Sequence, residues 1–234
     1  MKILAMESSA LTASVAVCED DKLLAEYTVN NGNTHSENLL PMAESILSLL
    51  GMSAADVDLF AVSAGPGSFT GVRIGVSTIK GLAFGTEKPC IGVSTLEALA
   101  YQLQSVTGLV CPVMNARRRQ VYTALFRVEN GTVTRLMEDC AISVEELDER
   151  LSAYEEPIYL TGDGFDLVKG ALSLPFAYTQ DKLRYQSGAS VAASALAAYR
   201  AGVRTTHREL APVYLRPCQA ERERAERMKN EAAE

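Results

Sequence analysis

The chain has 234 residues, 47% hydrophobic and 22% charged, with a formal net charge of −7. That length builds one domain or two small ones around a sizeable core, and the acidity argues against holding nucleic acid unaided. No run of about 18 apolar residues offers a membrane span, and Met1–Glu7 lacks a signal-peptide core. The cysteines (Cys18, Cys90, Cys111, Cys140 and Cys218) form no CxxC pair, which fits a reducing cytoplasm better than a disulfide framework or a zinc site.

Taken in order, Lys2–Met6, Thr12–Cys18 and Leu23–Val29 read as strands. Glu19-Asp20-Asp21 supplies the turn between the last two, so an antiparallel meander is expected. His35–Leu50 follows as a helix, with Leu39, Leu40, Ala43, Ile46, Leu47 and Leu50 at helical spacing and Gly51 as its stop. Pro41 should kink that helix or move its start. His35 reads as part of a capped helix start rather than as a base or ligand.

Leu59–Ser63 is an apolar strand that runs into Gly65-Pro66-Gly67-Ser68-Phe69-Thr70-Gly71 and a helix from Val72 to about Phe84. A glycine turn between strand and helix presents backbone N–H groups to an anion, although the Gly-Lys-Ser/Thr ending of a Walker loop is missing. Arg73 in the first helical turn opposes the macrodipole and so is expected to answer an anion. Gly75, Gly81 and Gly85 each cost about 1 kcal/mol relative to alanine, which makes sense where another backbone comes close. A short strand at Cys90–Val93 ends the first half, whose order is βββαβαβ.

The second half repeats that order. Leu109–Met114, Val121–Val128 and Thr132–Met137 form a second meander, with a hairpin signal at Asn130-Gly131. A helix at Ser143–Leu151 opens on the capping-box pair Ser143 and Glu146. The strand Pro157–Thr161, the turn Gly162-Asp163-Gly164, a helix Phe165–Leu172 and a helix Ser190–Ala201 complete it. Arg117, Arg118 and Arg119 read as a solvated turn. Two such halves imply an α/β protein of two ribonuclease-H-like lobes, 1–104 and 105–216, with a charged tail at 217–234. The cleft between them is a candidate nucleotide site, formed by Glu7, Ser8, Gly65, Gly67, Ser68, Gly162 and Asp163.

Several segments together resemble the TsaB family: Ile3–Ser9, His35-Ser36-Glu37 with Leu39-Leu40-Pro41, Gly65–Gly75, Lys80–Ala83, Gly92–Ala100, Ala116-Arg117 with Val121-Tyr122, Gly162–Gly164 and Pro212–Arg216. The resemblance implies the actin-like ASKHA fold and a role in making N6-threonylcarbamoyladenosine at position 37 of tRNA. It implies a heterodimer with the transferase TsaD, a larger assembly with TsaE, contact with tRNA through the complex, and a homodimer when alone. The implied role is that of a scaffold without catalytic residues, metal or tightly bound cofactor, ATP or ADP binding weakly if at all. The catalytic relative carries two metal-binding histidines where this chain has Thr95 and Leu99, neither a good metal ligand. Glu7 and Asn115 also depart from the aspartates usual in the family. The resemblance places the docking face on Leu39, Leu40, Ala43, Ile46, Leu47 and Leu50 of the first helix and on Val72, Arg73, Gly75, Val76 and Ile79 of the second. The alternative is a stand-alone ATP-dependent phosphotransferase working through Glu7 and Asp163.

Overall fold

The computed structural model describes residues 1–32, 34–177 and 179–216. Strands β1 (Lys2–Glu7), β2 (Ala13–Glu19) and β3 (Lys22–Val29) form the antiparallel meander. β4 (Leu59–Gly65) and β5 (Cys90–Ser94) extend it in parallel, giving the order β3-β2-β1-β4-β5. β4 is buried along its whole length and β1 along all but its first residue. A parallel strand covered on both faces reads as a continuous apolar run for that reason. β6 (Gly108–Asn115), β7 (Gln120–Glu129), β8 (Thr132–Ser143), β9 (Ile158–Thr161) and β10 (Phe176–Ala177) repeat the plan in the order β10-β9-β6-β7-β8.

Helices form three layers around the two sheets. α1 (His35–Leu49) and α2 (Phe69–Thr86) cover the outer face of the first sheet, packing Leu39, Ile46, Val72 and Ile79 on Leu4, Met6, Phe60 and Val62. α4 (Val144–Leu151) and the single turn α5 (Phe165–Val168) cover the outer face of the second. Between the sheets lie α3 (Thr95–Tyr101) and α6 (Gly188–Arg200). Leu96 and Leu99 of α3 pack on Val110 and Phe126, while Val191 and Ala195 of α6 pack on Ile3, Ala61 and Ile91.

Several expectations need correcting. α6 is a helix of the first sheet, so the boundary at 105 does not separate two self-contained halves: the first sheet's inner face needs a helix from the end of the chain. α1 runs unbroken through Pro41, because Pro41 and the Glu37 carbonyl that it deprives of a partner sit on a solvent-exposed side. α2 begins at Phe69, where the Ser68 hydroxyl accepts the Gly71 N–H at 3.3 Å. β8 continues to Ser143, α5 is shorter than the sequence suggests, and α3 and β10 are additional. Cys18, Cys90 and Cys111 are buried; Cys218 and the tail lie outside the described residues. No helix among the described residues is long and apolar enough to cross a membrane.

Candidate functional site

The glycine turn is built against its own chain. A Cβ at Gly67 would overlap the Ser9 carbonyl, one at Gly71 the Ser8 carbonyl, and one at Gly65 the Val213 carbonyl. The Ser68 N–H donates to Ser9 O at 2.7 Å, and the Ser8 hydroxyl donates to Gly71 O at 2.9 Å. These glycines answer close backbone, where the sequence suggests an anion cradle. Arg73 is corrected in the same way. Its guanidinium carbon lies 3.9 Å from the Phe69 ring centroid and its Nε donates to the Tyr214 hydroxyl at 2.8 Å. The Phe69 and Tyr214 rings stack at 4.7 Å. Among the described residues the cation meets two aromatic rings and no carboxylate, so the anion expected from within the fold is not there.

Tyr214 belongs to a strap, residues 210–216, that crosses from the first lobe to the second. Lys80 Nζ donates to Leu210 O at 3.0 Å, Val213 N–H to Ala64 O at 2.7 Å, and Arg216 Nη1 to Ala116 O at 2.6 Å. The strap walls a cleft of about 690 Å³ whose lining includes Ser9, Gly67, Ser68, Asn115, Arg117, Asp163 and Tyr214. Ser9 Oγ and Asp163 Oδ1 are buried there without a partner among the described residues, and burial raises the Asp163 carboxyl above its usual range. Arg117, Arg118 and Arg119 form an exposed left-handed turn at φ 62°, 55° and 56°, with Arg119 paired to Glu145 at 2.8 Å.

Of the residues assigned to a nucleotide, the structure brings Gly67, Ser68 and Asp163 to this cleft and leaves the others behind. Glu7 is wholly buried. Its carboxylate accepts the Ser9 N–H at 2.5 Å and the Ser63 hydroxyl, and burial raises its pKa. The Ser8 hydroxyl is spent on Gly71, Gly65 lies beneath the strap, and Gly162 packs on the Val113 carbonyl. His35 joins α1 to the β1–β2 turn, its Nε2 lying 2.8 Å from Ala10 O.

The assigned docking residues separate as clearly. Leu39, Ala43, Ile46, Leu47, Val72, Val76 and Ile79 are core side chains, none more than 8% exposed, and Gly75 is buried against Ser8 and Val62. Leu50 is half-buried. Only Leu40, at 44%, and Arg73 stand out to solvent. The strongest apolar stripe of each helix serves its own sheet. A neighbouring stripe lines a groove of about 680 Å³ between α1 and α2, formed by Ser36, Leu40, Phe69, Arg73, Ile74, Ser77, Thr78, Gly81 and Leu82. Gly81 is legible in the sequence as an interior helical glycine, whereas Ile74, Ser77, Thr78 and Leu82 are not singled out there. Their signal is a mixed stripe one or two residues to the side of the core positions of α2, running past that glycine.

The groove glycine differs from those of the turn: Gly81, like Gly85, has nothing within 4 Å of where a Cβ would be. Thr95 and Leu99 are both fully buried on α3. Residues 22–220 match the family model "TsaD: tRNA N6-adenosine threonylcarbamoyltransferase". The tRNA threonylcarbamoyladenosine biosynthesis protein TsaB of Bacillus subtilis is 36% identical over 72% of this chain and 74% of its own length. The chain belongs to the TsaB family. TsaB of Escherichia coli is 35% identical over 70% of this chain and 72% of its own. A crystal structure of an uncharacterized protein with similarity to the peptidase YeaZ from Pseudomonas aeruginosa superposes with a TM-score of 0.82. It covers 92% of this chain and 99% of that one at 27% identity. The two-lobed, actin-like α/β fold of the TsaB family is thus the fold of this chain.

Proposed function

We propose that this chain is a non-catalytic subunit in the synthesis of threonylcarbamoyladenosine on tRNA, and that it docks a TsaD-type transferase in the groove between α1 and α2. The observation that carries this reading is Gly81. An interior helical glycine costs about 1 kcal/mol, and the turn glycines recover that cost in close contacts with Ser8 and Ser9. Gly81 has no such contact and faces a groove flanked by Leu40, Ile74 and Leu82. A helix from another subunit would approach closely there, as one helix packs on another across small residues. A second copy of this chain would use the same face when the partner is absent.

The non-catalytic half of the reading rests on Thr95 and Leu99. They stand where the catalytic relative has histidines, and both are sealed inside α3. The phosphotransferase reading is weaker, since the Glu7 carboxylate it needs as a base is buried and engaged by Ser9 and Ser63. Nucleotide, if it acts at all, belongs on this reading mainly to the partner. A TsaE-type protein would join the assembly, with tRNA held by the complex.

The test is reconstituted tRNA modification with and without this chain, alongside co-purification with the TsaD-type subunit. Leu40→Arg combined with Gly81→Leu is expected to abolish both while the variant still folds. Modification by this chain without the transferase, or an intact complex in the double variant, would overturn the proposal.

A further inference from the structure

The groove and the cleft share a wall. Phe69 and Thr70 line both cavities, and Arg73 lines the groove while its Nε holds Tyr214 of the strap that closes the cleft. Arg73 and Lys80, seven residues apart on α2, both grip the strap, at Tyr214 and at the Leu210 carbonyl. The guanidinium is half used. Nε is bonded and one face lies on Phe69, but Nη1 and Nη2 have no hydrogen-bond partner and no carboxylate pairs with them among the described residues. A planar fork with two free N–H edges matches a carboxylate.

We propose that a docking partner presents a carboxylate to Arg73, and that engaging it tightens the strap across the interlobe cleft. This deepens the docking reading above and rests on it. Fixing the guanidinium from its Nη edge orders the Nε–Tyr214 bond and the stack with Phe69, and the ordered Tyr214 holds Val213 on Ala64. The cleft wall is then firmer in the complex than in the free chain. Linkage requires the converse: a strap that is already closed favours the partner by the same factor. The buried Ser9 Oγ and Asp163 Oδ1, without a partner among the described residues, belong to residues that line the same cleft as the strap.

The experiment is amide hydrogen exchange across 210–216 in the full chain, free and bound to the purified TsaD-type subunit, with the binding constant measured at two salt concentrations. Docking is expected to slow exchange of the Val213 amide at least about fivefold, within the usual range of coupled sites. Arg73→Lys keeps a charge for the carboxylate but loses the fork. It should still dock, more weakly, while losing most of the slowing. Tyr214→Phe keeps the stacked ring, removes the hydroxyl, and should weaken docking by the factor lost from protection. Arg73→Met should flatten the salt dependence of binding. Docking that leaves Val213 exchange unchanged, full slowing in Arg73→Lys, or equal salt dependence in Arg73→Met would each overturn the inference with the docking reading intact. Failure of the wild-type chain to dock at all would overturn both.

Discussion

A methyl group added at Gly71 would overlap the Ser8 carbonyl, whereas one added at Gly81, ten residues along the same helix, would meet nothing within 4 Å. Gly71→Ala is therefore expected to destabilise the chain by about 1–3 kcal/mol or more, as overpacking against backbone does. Gly81→Ala should stabilise the isolated chain by about 1 kcal/mol, by restoring helix propensity. Urea denaturation of the two variants checks both signs. Glu7 offers a second test at this scale. Burial raises its pKa, so the folded chain holds the proton more tightly than the unfolded one. The stability this group contributes is fully present below the ordinary carboxylate range and is lost as pH rises through the raised value. Glu7→Gln keeps an acceptor for the Ser9 N–H and offers the Ser63 hydroxyl a donor. It should flatten that decline, leaving the variant at least as stable as the parent at neutral pH, as denaturation midpoints measured across pH would record.

At the scale of the element, α2 is a helix with two apolar stripes of unequal strength. Val72, Val76, Ile79 and Ala83 face the sheet and are buried; Ile74, Thr78, Gly81 and Leu82 line the groove. Ile79→Ala is expected to cost about 2–5 kcal/mol through the cavity it leaves. Leu40→Arg, at a position 44% exposed, should change stability by no more than about 0.5 kcal/mol while abolishing capture of the transferase subunit. Thermal melts paired with co-purification separate the two stripes. Periodicity by itself could not do so: it reports that a face is apolar and not whether a sheet or another molecule covers it. The heavier stripe won the core because a sheet face of Leu4, Met6, Phe60 and Val62 had to be covered first.

At the scale of the molecule, α3 is the wedge on which both sheets rest, and its polar end is clamped to the second lobe. Arg135 of β8 pairs with Glu97 at 2.9 Å and with Asp139, while the Ser94 hydroxyl donates to Asp139 at 2.5 Å. The guanidinium carbon also sits 4.7 Å from the Phe126 ring centroid. Removing one side of such a partly buried cluster leaves charges without partners, so Arg135→Ala should cost about 1–3 kcal/mol. A broadened unfolding transition in that variant, seen by calorimetry, would show the lobes beginning to melt apart.

The sequence alone determined the βββαβα order of each half and the long helices, because strand and helix periodicities are local patterns, while the likeness to the TsaB family rested on a series of motifs spread along the chain. The antiparallel pairing within each meander followed from its short turns, whereas the parallel places of β4, β5, β9 and β10 were not read from those patterns. Tertiary structure alone decided what the special residues touch. Arg73 found Tyr214 across 141 residues of chain, Gly65 found Val213, and α6 crossed back to the first sheet. Such pairings are set by which surfaces are left uncovered once the sheets form. That depends on distances through space which no spacing along the chain records.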